Sequence, residues 1–408
     1  MAALARSPVV FLNGARQTGK STLAKALAGG PHPASYITLD DATTLAAAQA
    51  DPAGFVAGLD GPVVMDEVQR EPRLFLPIKA AVDRDRRPGR FLLTGSASVM
   101  ALPQLAHALV GRVEILTLWP FSQGELEGHG DDFVDAIFRS RVAAPARTGT
   151  RRSTPIERRL LTGGFPEVAT RKTNAGRRAW FASYTTTILQ REVRDLANIE
   201  GLAVLPSLLR LLAARAATLL NTSELSRSTG IPNTTLKRYL ALLEATFLIQ
   251  PLPAWSANLS KRLVRAPKLL LCDTGLLAHL LGVDARRLAA ERALVGALLE
   301  NFVAMELAKQ ASWSEVRPAI HHFRTHAGEE VDVVLEDAAG RVVGIEVKAA
   351  ATVGARDLRG LRALAEALGK KFVRGVVLYT GTEVIPFGER VHAVPLEALW
   401  TMTAVGGG

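Results

Sequence analysis

The chain of 408 residues contains a single cysteine, Cys272. That excludes an internal disulfide framework and any zinc site built from several thiolates, and it suits a reducing compartment. Cys272 itself reads as a small core residue. No apolar run approaches the ~18 to 20 residues of a membrane helix, and the start, MAALARSPVVFLNG, enters a strand without the apolar stretch of a secretory leader. These absences predict a cytoplasmic protein with no membrane partner. Acidic residues are scarce in one place only. Residues 151–280 hold 19 Lys+Arg against 8 Asp+Glu, whereas 1–150 balance at 15 each and 281–408 at 15 against 16, so the whole net charge of +10 lies in the middle third. Such a segment is expected to meet a polyanion while its neighbours do other work, unless it is only a solvated surface. At this length the chain has room for two or three cores.

The stretch VVFLNGARQTGKSTLAKAL reads as an apolar strand, a glycine-bounded loop and the start of an amphipathic helix. Gly14, Ala15, Arg16, Gln17, Thr18, Gly19, Lys20 and Ser21 fit G-x-x-x-x-G-K-S/T at every fixed position, with Thr22 next. Glycines let backbone N–H groups close around phosphate oxygens, and the helix N-terminus adds a favourable dipole. Lys20 reaches the β- and γ-phosphates and Ser21 can hold Mg2+. Downstream, GPVVMDEVQR runs four apolar residues, suited to a buried parallel strand, into Asp66 and Glu67. Asp66 would bind Mg2+ directly or through water, and Glu67 would polarise the attacking water; the plainer alternative for Asp66 is a helix N-cap. A third buried strand, RFLLTGSASVM, ends in Thr94, Gly95 and Ser96, small polar groups able to sense a γ-phosphate or orient water. Arg112, in LVGRVEILTLWPF, is either a finger that stabilises transition-state charge, within one subunit or across an interface, or a surface salt bridge. Action across an interface implies a homo-oligomer, a ring such as a hexamer being one form. ATP and Mg2+ are the expected cofactors. The order of elements predicts an α/β fold, a parallel sheet covered by helices.

GARQTGKST, VVMDEVQ, LLTGSAS, LVGRVEILTLWPFSQGE, LTGGFPEV, PKLLLCDTGLLAHLLG and EVDVVLEDAAGRVVGIEVK together resemble the prokaryotic predicted ATPases of the AAA+ superfamily that carry a C-terminal domain of unknown function. The match covers nearly the whole chain. The resemblance implies an ATPase module joined to a DNA-binding helical module and a nuclease-like end. Related chains have a helical segment before the first strand that helps hold the adenine, whereas here the strand begins by about Val9.

Residues 141–156, RVAAPARTGTRRSTPI, are rich in Pro, Thr and Arg, lack periodicity and read as a linker. It separates an AAA+ P-loop ATPase domain, 1–140, from a helical region with a winged helix-turn-helix, 157–283, and a small α/β domain of restriction-endonuclease type, 284–400. In WFASYTTTILQREVRDL, helical spacing lines up Trp180, Tyr184, Ile188 and Leu189 as core. In NTSELSRSTGIPNTTLKRYLALLEATFLIQPLP, Thr222 or Ser223 caps a short helix that Gly230 breaks. Pro232 opens a second helix, whose buried stripe is Leu236, Tyr239, Leu240 and Leu243. This is helix-turn-helix spacing, and it leaves Asn233, Thr234, Lys237 and Arg238 exposed for phosphate or base contacts in DNA. Two apolar strands follow around a loop with Lys261, Arg262 and Arg265, as in a winged variant. The same geometry also serves as scaffolding or as a protein-docking surface.

In EVDVVLEDAAGRVVGIEVK, alternation sends Glu346 and Lys348 to one side of a strand, where Asp332 on the partner strand can meet them. Two carboxylates with a lysine match the D…E-x-K arrangement of metal-dependent nucleases: the acids hold Mg2+ and Lys348 stabilises the nucleophile or the developing phosphate charge. Glu300, among apolar residues of the preceding helix, would be a further metal ligand. The alternative is a buried salt-bridge network in an inactive descendant of the fold. The leading expectation is thus an ATP-hydrolysing protein that binds and processes duplex or branched DNA, with metal-dependent nuclease activity at its end. Its rival is a nucleotide-gated regulatory or signalling ATPase with a non-catalytic C-terminal domain.

Overall fold

In a computed structural model, residues 1–96, 98, 108–139, 154–193, 202–258, 262 and 265–402 are described. The chain forms two units. One comprises Met1–Pro120, Thr187–Leu202 and Arg238–Leu248, the other Phe121–Thr186, Ala203–Lys237 and Ile249–Gly408.

The first unit is the parallel α/β sheet that its apolar runs require. β1 (Val9–Asn13), β2 (Ser35–Thr38), β3 (Val63–Asp66), β4 (Phe91–Gly95) and β5 (Val113–Thr117) lie in the order β2-β3-β4-β1-β5, every pair parallel. β1, β3 and β4 are buried throughout, because helices cover both faces and each face buries alternate residues. Val9, Phe11, Val63, Met65, Phe91 and Leu93 enter one core cluster; Val10, Leu12, Val64 and Leu92 enter the other with Ala24 of the helix Lys20–Ala28. A five-residue helix, Ala2–Arg6, precedes β1 and adds Ala3 and Leu4 to that second cluster.

The second unit holds a six-stranded mixed sheet and a two-stranded one. β6 (Ile249–Leu252) pairs antiparallel with β7 (Lys268–Leu271). β8 (Ala319–Arg324), β9 (Glu330–Glu336), β10 (Val342–Lys348), β11 (Phe372–Tyr379), β12 (Ile385–Pro386) and β13 (Val391–Pro395) form the order β12-β13-β11-β10-β9-β8. β8 to β10 run antiparallel, while β11 is parallel to both β10 and β13. The helix Arg359–Leu368 buries Leu361 and Leu364 in this sheet's core. Its Gly360 passes so close to β9 that a Cβ there would stand 1.7 Å from the Glu330 carbonyl oxygen. The 22-residue helix Arg292–Trp313 carries Glu300 and buries Asn301, Glu306, Lys309 and Gln310. No helix among the described residues is long and apolar enough to cross a membrane.

Cys272 is fully buried. Trp180, Tyr184, Ile188 and Leu189 are buried too, with the Trp180 and Tyr184 rings stacked at 4.9 Å. The division after Pro120 falls inside the expected first domain, 1–140. The segment beyond it is tied to the helix Arg292–Trp313, since Gln123 N donates to Glu306 Oε2 at 2.8 Å and Val134 N to Gln310 Oε1 at 3.2 Å. Of the expected linker, 141–153 lie outside the described residues.

In that segment Asp131 is buried and accepts a hydrogen bond from the Ser122 hydroxyl. Burial pushes its carboxyl up to about 7, against the pull of Ser122 and with help from the nearby Glu306 and Glu125 charges. The folded chain therefore keeps this proton where the unfolded chain has lost it. The stability so gained is full below the ordinary carboxylate value and is lost as pH rises through about 7. Asp131→Asn is expected to remove a loss of order 1 kcal/mol between pH 4 and 8, discounted for partial exposure. Urea unfolding of both proteins at the two pH values checks this; parallel pH dependence in the two would contradict it.

Candidate functional sites

The loop after β1 is held open by two glycines in backbone conformations that other residues avoid, Gly14 at φ +147° and Gly19 at φ +96°. A Cβ on Gly14 would lie 2.2 Å from the Leu118 carbonyl oxygen. Thr18 Oγ1 donates to Ala15 O at 2.9 Å, and the buried Lys20 ammonium donates to Gly14 O and Ala15 O at 3.0 and 2.8 Å. Arg16 is half-buried, while Gln17 and Thr22 are exposed. Lys20 and Ser21 open the helix Lys20–Ala28, so the loop's N–H groups and the helix N-terminus share one end of the sheet.

The register brings the tips of β3 and β4 to that end, with Met65 opposite Leu93 and Leu12 opposite Thr94. Asp66 caps no helix. It is buried and accepts three side-chain hydrogen bonds: from Ser21 Oγ at 3.1 Å, from Tyr36 Oη at 2.6 Å and from the Thr94 hydroxyl. Thr94 Oγ1 in turn accepts from Glu67 N at 3.2 Å. Glu67 turns into the left-handed region at φ +57° and accepts from the Gln69 amide, which also donates to Ser96 Oγ at 3.1 Å. Burial raises the Glu67 carboxyl above its ordinary value, while the Gln69 bond and the charges of Lys20 and Arg16 oppose the rise. Burial and the bond to Asp66 raise the Tyr36 hydroxyl. Tyr36 and Gln69 were not among the residues expected here. Gln69 lay three positions after Asp66 in a motif already singled out, whereas nothing in the sequence pointed to Tyr36.

Arg112 precedes Val113, which pairs with Val9, so it stands at the opposite end of β1 from the loop, about 16 Å away for a five-residue strand. There it pairs with Asp83 at 2.6 Å. This placement corrects a finger role within its own subunit and matches the other expectation, a surface salt bridge.

Residues around the helix-turn-helix lie close to the expected places. The first helix, Thr222–Thr229, is capped by Asn221 Oδ1, which accepts from Glu224 N at 3.0 Å, so the cap is one residue earlier than Thr222. Gly230 ends it at φ +70°, and the second helix runs Asn233–Ala245. Leu236, Tyr239, Leu240 and Leu243 are buried; Asn233, Thr234, Lys237 and Arg238 are exposed. In the following loop Lys261 lies outside the described residues. Arg262 is no open cation for DNA: its Nη1 and Nη2 meet Glu336 at 2.5 and 3.1 Å and its guanidinium lies over the Trp255 ring. A bidentate partner already compensates its charge. Arg265 donates to Arg324 O at 3.4 Å.

Where β9 begins and β10 ends, the expected acids meet lysines. Lys348 pairs with Glu346 at 2.9 Å and reaches Asp357 at 3.8 Å. Asp332 Oδ2 accepts from Val347 N at 2.9 Å. Glu300 and Asp332 do converge, together with Glu330, their carboxylate oxygens lying within 4.8 Å of one another. Among them sits the Lys268 ammonium, 2.5 Å from Glu300, 2.6 Å from Glu330 and 3.4 Å from Asp332, on a side chain only 2% exposed. Burial works to lower the Lys268 pKa, but the three carboxylates outweigh it and raise it. Burial raises Glu300 and Glu346, each helped by the Asp332 charge. Of the expected metal set, Glu300 and Asp332 come together with Glu330 in a group of the size that holds an ion, and Lys268 lies among them; Glu346 stands outside that group and faces Lys348. Glu330 was legible as the same-side neighbour of Asp332, two residues before it. Lys268, in an apolar strand 32 positions before Glu300 and 64 before Asp332, was not.

Residues 6–127 match an AAA domain, and two domains of unknown function follow, one (DUF8612) over 153–287 and one (DUF4143) over 295–399. The chain is thus an AAA-type, ATPase-like α/β protein whose parallel sheet carries a phosphate loop and is followed by a second α/β sheet domain. It belongs to the same family as two mycobacterial proteins, Uncharacterized protein Rv2008c of Mycobacterium tuberculosis and Uncharacterized protein Mb2031c of Mycobacterium bovis. Each is 32% identical over 406 residues, covering 99% of this chain and 83% of the relative. Among solved structures, Thermotoga maritima RuvB overlaps 60% of this chain and 82% of its own at 18% identity and a TM-score of 0.28. Drosophila ORC bound to AT-rich DNA and Cdc6 overlaps 69% and 88% at 10% identity and a TM-score of 0.21. Neither overlay is close enough to bear on function.

Removing the loop ammonium takes one charged hydrogen-bond donor from a phosphate, about 1.5–3 kcal/mol. Lys20→Ala is therefore expected to weaken ATP binding about tenfold or more. Titration with a fluorescent ATP analogue reads this directly, and unchanged affinity would remove the loop from consideration as the phosphate site.

Proposed function

We propose that this protein hydrolyses ATP at Gly14–Ser21 and couples the nucleotide state to a DNA-contacting helix-turn-helix. The observation that carries the reading is Asp66: a buried carboxylate at a strand tip that accepts from the loop residue Ser21 and from Thr94, next to a buried Glu67. Packing alone gives no reason to gather those groups at the mouth of a glycine loop. Ser21 and Asp66 fit a hard cation, since both offer oxygen on one spot, and Mg2+ there would neutralise charge on the β- and γ-phosphates. Lys20 binds the same phosphates. Glu67, held by Gln69 and raised by burial, is suited to take up or polarise a proton of the attacking water. Thr94 fixes both acids, accepting from the Glu67 backbone and donating to Asp66. Gln69 links Glu67 to Ser96, a route by which the γ-phosphate state would reach the end of β4. Arg112 acts in this scheme only from a neighbouring subunit of a homo-oligomer.

In this reading 1–140 is the ATPase module, 141–156 the linker, 157–283 the winged helix-turn-helix region and 284–400 a nuclease-like domain. The basic middle third supports contact with a nucleic-acid backbone, and the exposed Asn233, Thr234, Lys237 and Arg238 at the start of the second helix are its point of contact. The regulatory alternative gains from one observation: the acid cluster of the last domain is already matched by Lys268 and Lys348. A C-terminal domain that supports the protein without cutting DNA is consistent with both versions.

Glu67→Gln is expected to keep ATP binding and lose hydrolysis by on the order of 100-fold or more, as removal of a positioned proton acceptor does; phosphate release comparable to wild type would refute the role. DNA binding of the full chain is expected to fall steeply with salt, and Lys237→Ala to lower the slope of log affinity against log salt by about 0.9, one phosphate contact. A slope that does not change in the variant, or affinity indifferent to salt, would point the helix-turn-helix at another partner.

A further inference from the structure

Three carboxylate oxygens within 4.8 Å of one another cannot all stay ionised in a part-buried site without a cation among them. Two kinds of cation meet that need: a divalent ion, which takes oxygens at about 2.0–2.6 Å, or an ammonium, which takes them at hydrogen-bond length. The group found there is of the second kind. Lys268 Nζ lies 2.5, 2.6 and 3.4 Å from Glu300, Glu330 and Asp332; it donates to Glu300 and Asp332 and pairs with Glu330 by charge. Its residue is 1% exposed, and its backbone is fixed in β7, paired with Leu252 of β6. The stem is thus packed and the head held on three sides.

We propose that the Lys268 ammonium takes the place of a divalent ion in this centre, so that the last domain keeps the acid cluster of a nuclease-like fold without metal and cleaves no phosphodiester bond. The proposal rests on reading 284–400 as nuclease-like, and it is independent of whether the loop at Gly14–Ser21 hydrolyses ATP. A bound metal would have to evict an ammonium whose effective concentration is set by its own chain and does not fall on dilution. The neighbouring acid offers no second metal seat. Glu346 has one oxygen on Lys348, and its Oε2, buried without a hydrogen-bond partner, lies outside the group of three oxygens. A single carboxylate oxygen is a weak ligand for a hard divalent ion, which takes six or more. Arg324, 3.7 Å from Glu330, adds further positive charge on the same side.

The test uses nucleotide-free full-length chain and Mn2+ as the probe, with free Mn2+ counted by electron paramagnetic resonance. Wild type is expected to show no Mn2+ site that Asp332→Asn removes. Lys268→Met, which keeps the apolar stem and loses the charge, is expected to gain one, at least about tenfold tighter than any binding in wild type, and to lose it again on adding Asp332→Asn. If Lys268→Met folds only when Mn2+ is supplied, seen as a metal-dependent melting transition, the substitution of one cation for the other is supported as well. Where Lys268→Met does not fold at all, wild type against Asp332→Asn still decides. A stoichiometric Mn2+ site in wild type that Asp332→Asn abolishes, or Mn2+-dependent nicking of DNA lost in the same variant, would overturn the proposal. Unchanged ATP binding in Lys268→Met separates this outcome from any failure of the ATPase reading.

Discussion

A carboxylate taken out of water must be given donors or a cation, and both candidate sites of this chain are solutions to that constraint. At the end of the parallel sheet Asp66 accepts from the hydroxyls of Ser21, Tyr36 and Thr94. Neutral donors orient the group without cancelling its charge, so it stays able to attract a cation and the phosphates that come with it. Glu67, one residue on, is buried with an amide partner and lifted toward the protonated form. Two adjacent acids are thereby pushed to different tasks by different surroundings.

The last domain solves the same problem the other way. Glu300, Glu330 and Asp332 are matched by a charge, and Glu346 by another. Charge matched within the chain makes a firm structural unit and, as proposed, a poor seat for a divalent ion. The fold around it explains why the acids gather there: β9 and β10 put alternate side chains on one side, and the helix Arg292–Trp313 brings Glu300 to the same place.

In the basic middle third of the sequence the charge takes two forms. Arg262 spends it internally on Glu336 and Trp255. Lys237 on the second helix is exposed. Net charge counted along the sequence does not separate these two, because a cation held by a carboxylate and one facing solvent count alike. The surface available to a polyanion is therefore smaller than the excess of 11 positive residues suggests.

Local patterns settled a good deal. The glycine loop, the buried strands ending in Asp66 and Thr94, the helix-turn-helix punctuation by Gly230 and Pro232, and the same-side placement of Glu346 and Lys348 all follow from periods of two or 3.6 residues and from backbone preferences that act over a few positions. What needed the tertiary structure were meetings between distant segments: Tyr36 with Asp66, Arg262 with Glu336, Arg112 at the far end of β5, and above all Lys268 among three acids from a helix and a strand. Sequence spacing carries no information about such pairs, since which side chains meet across elements is decided by strand order, register and helix placement.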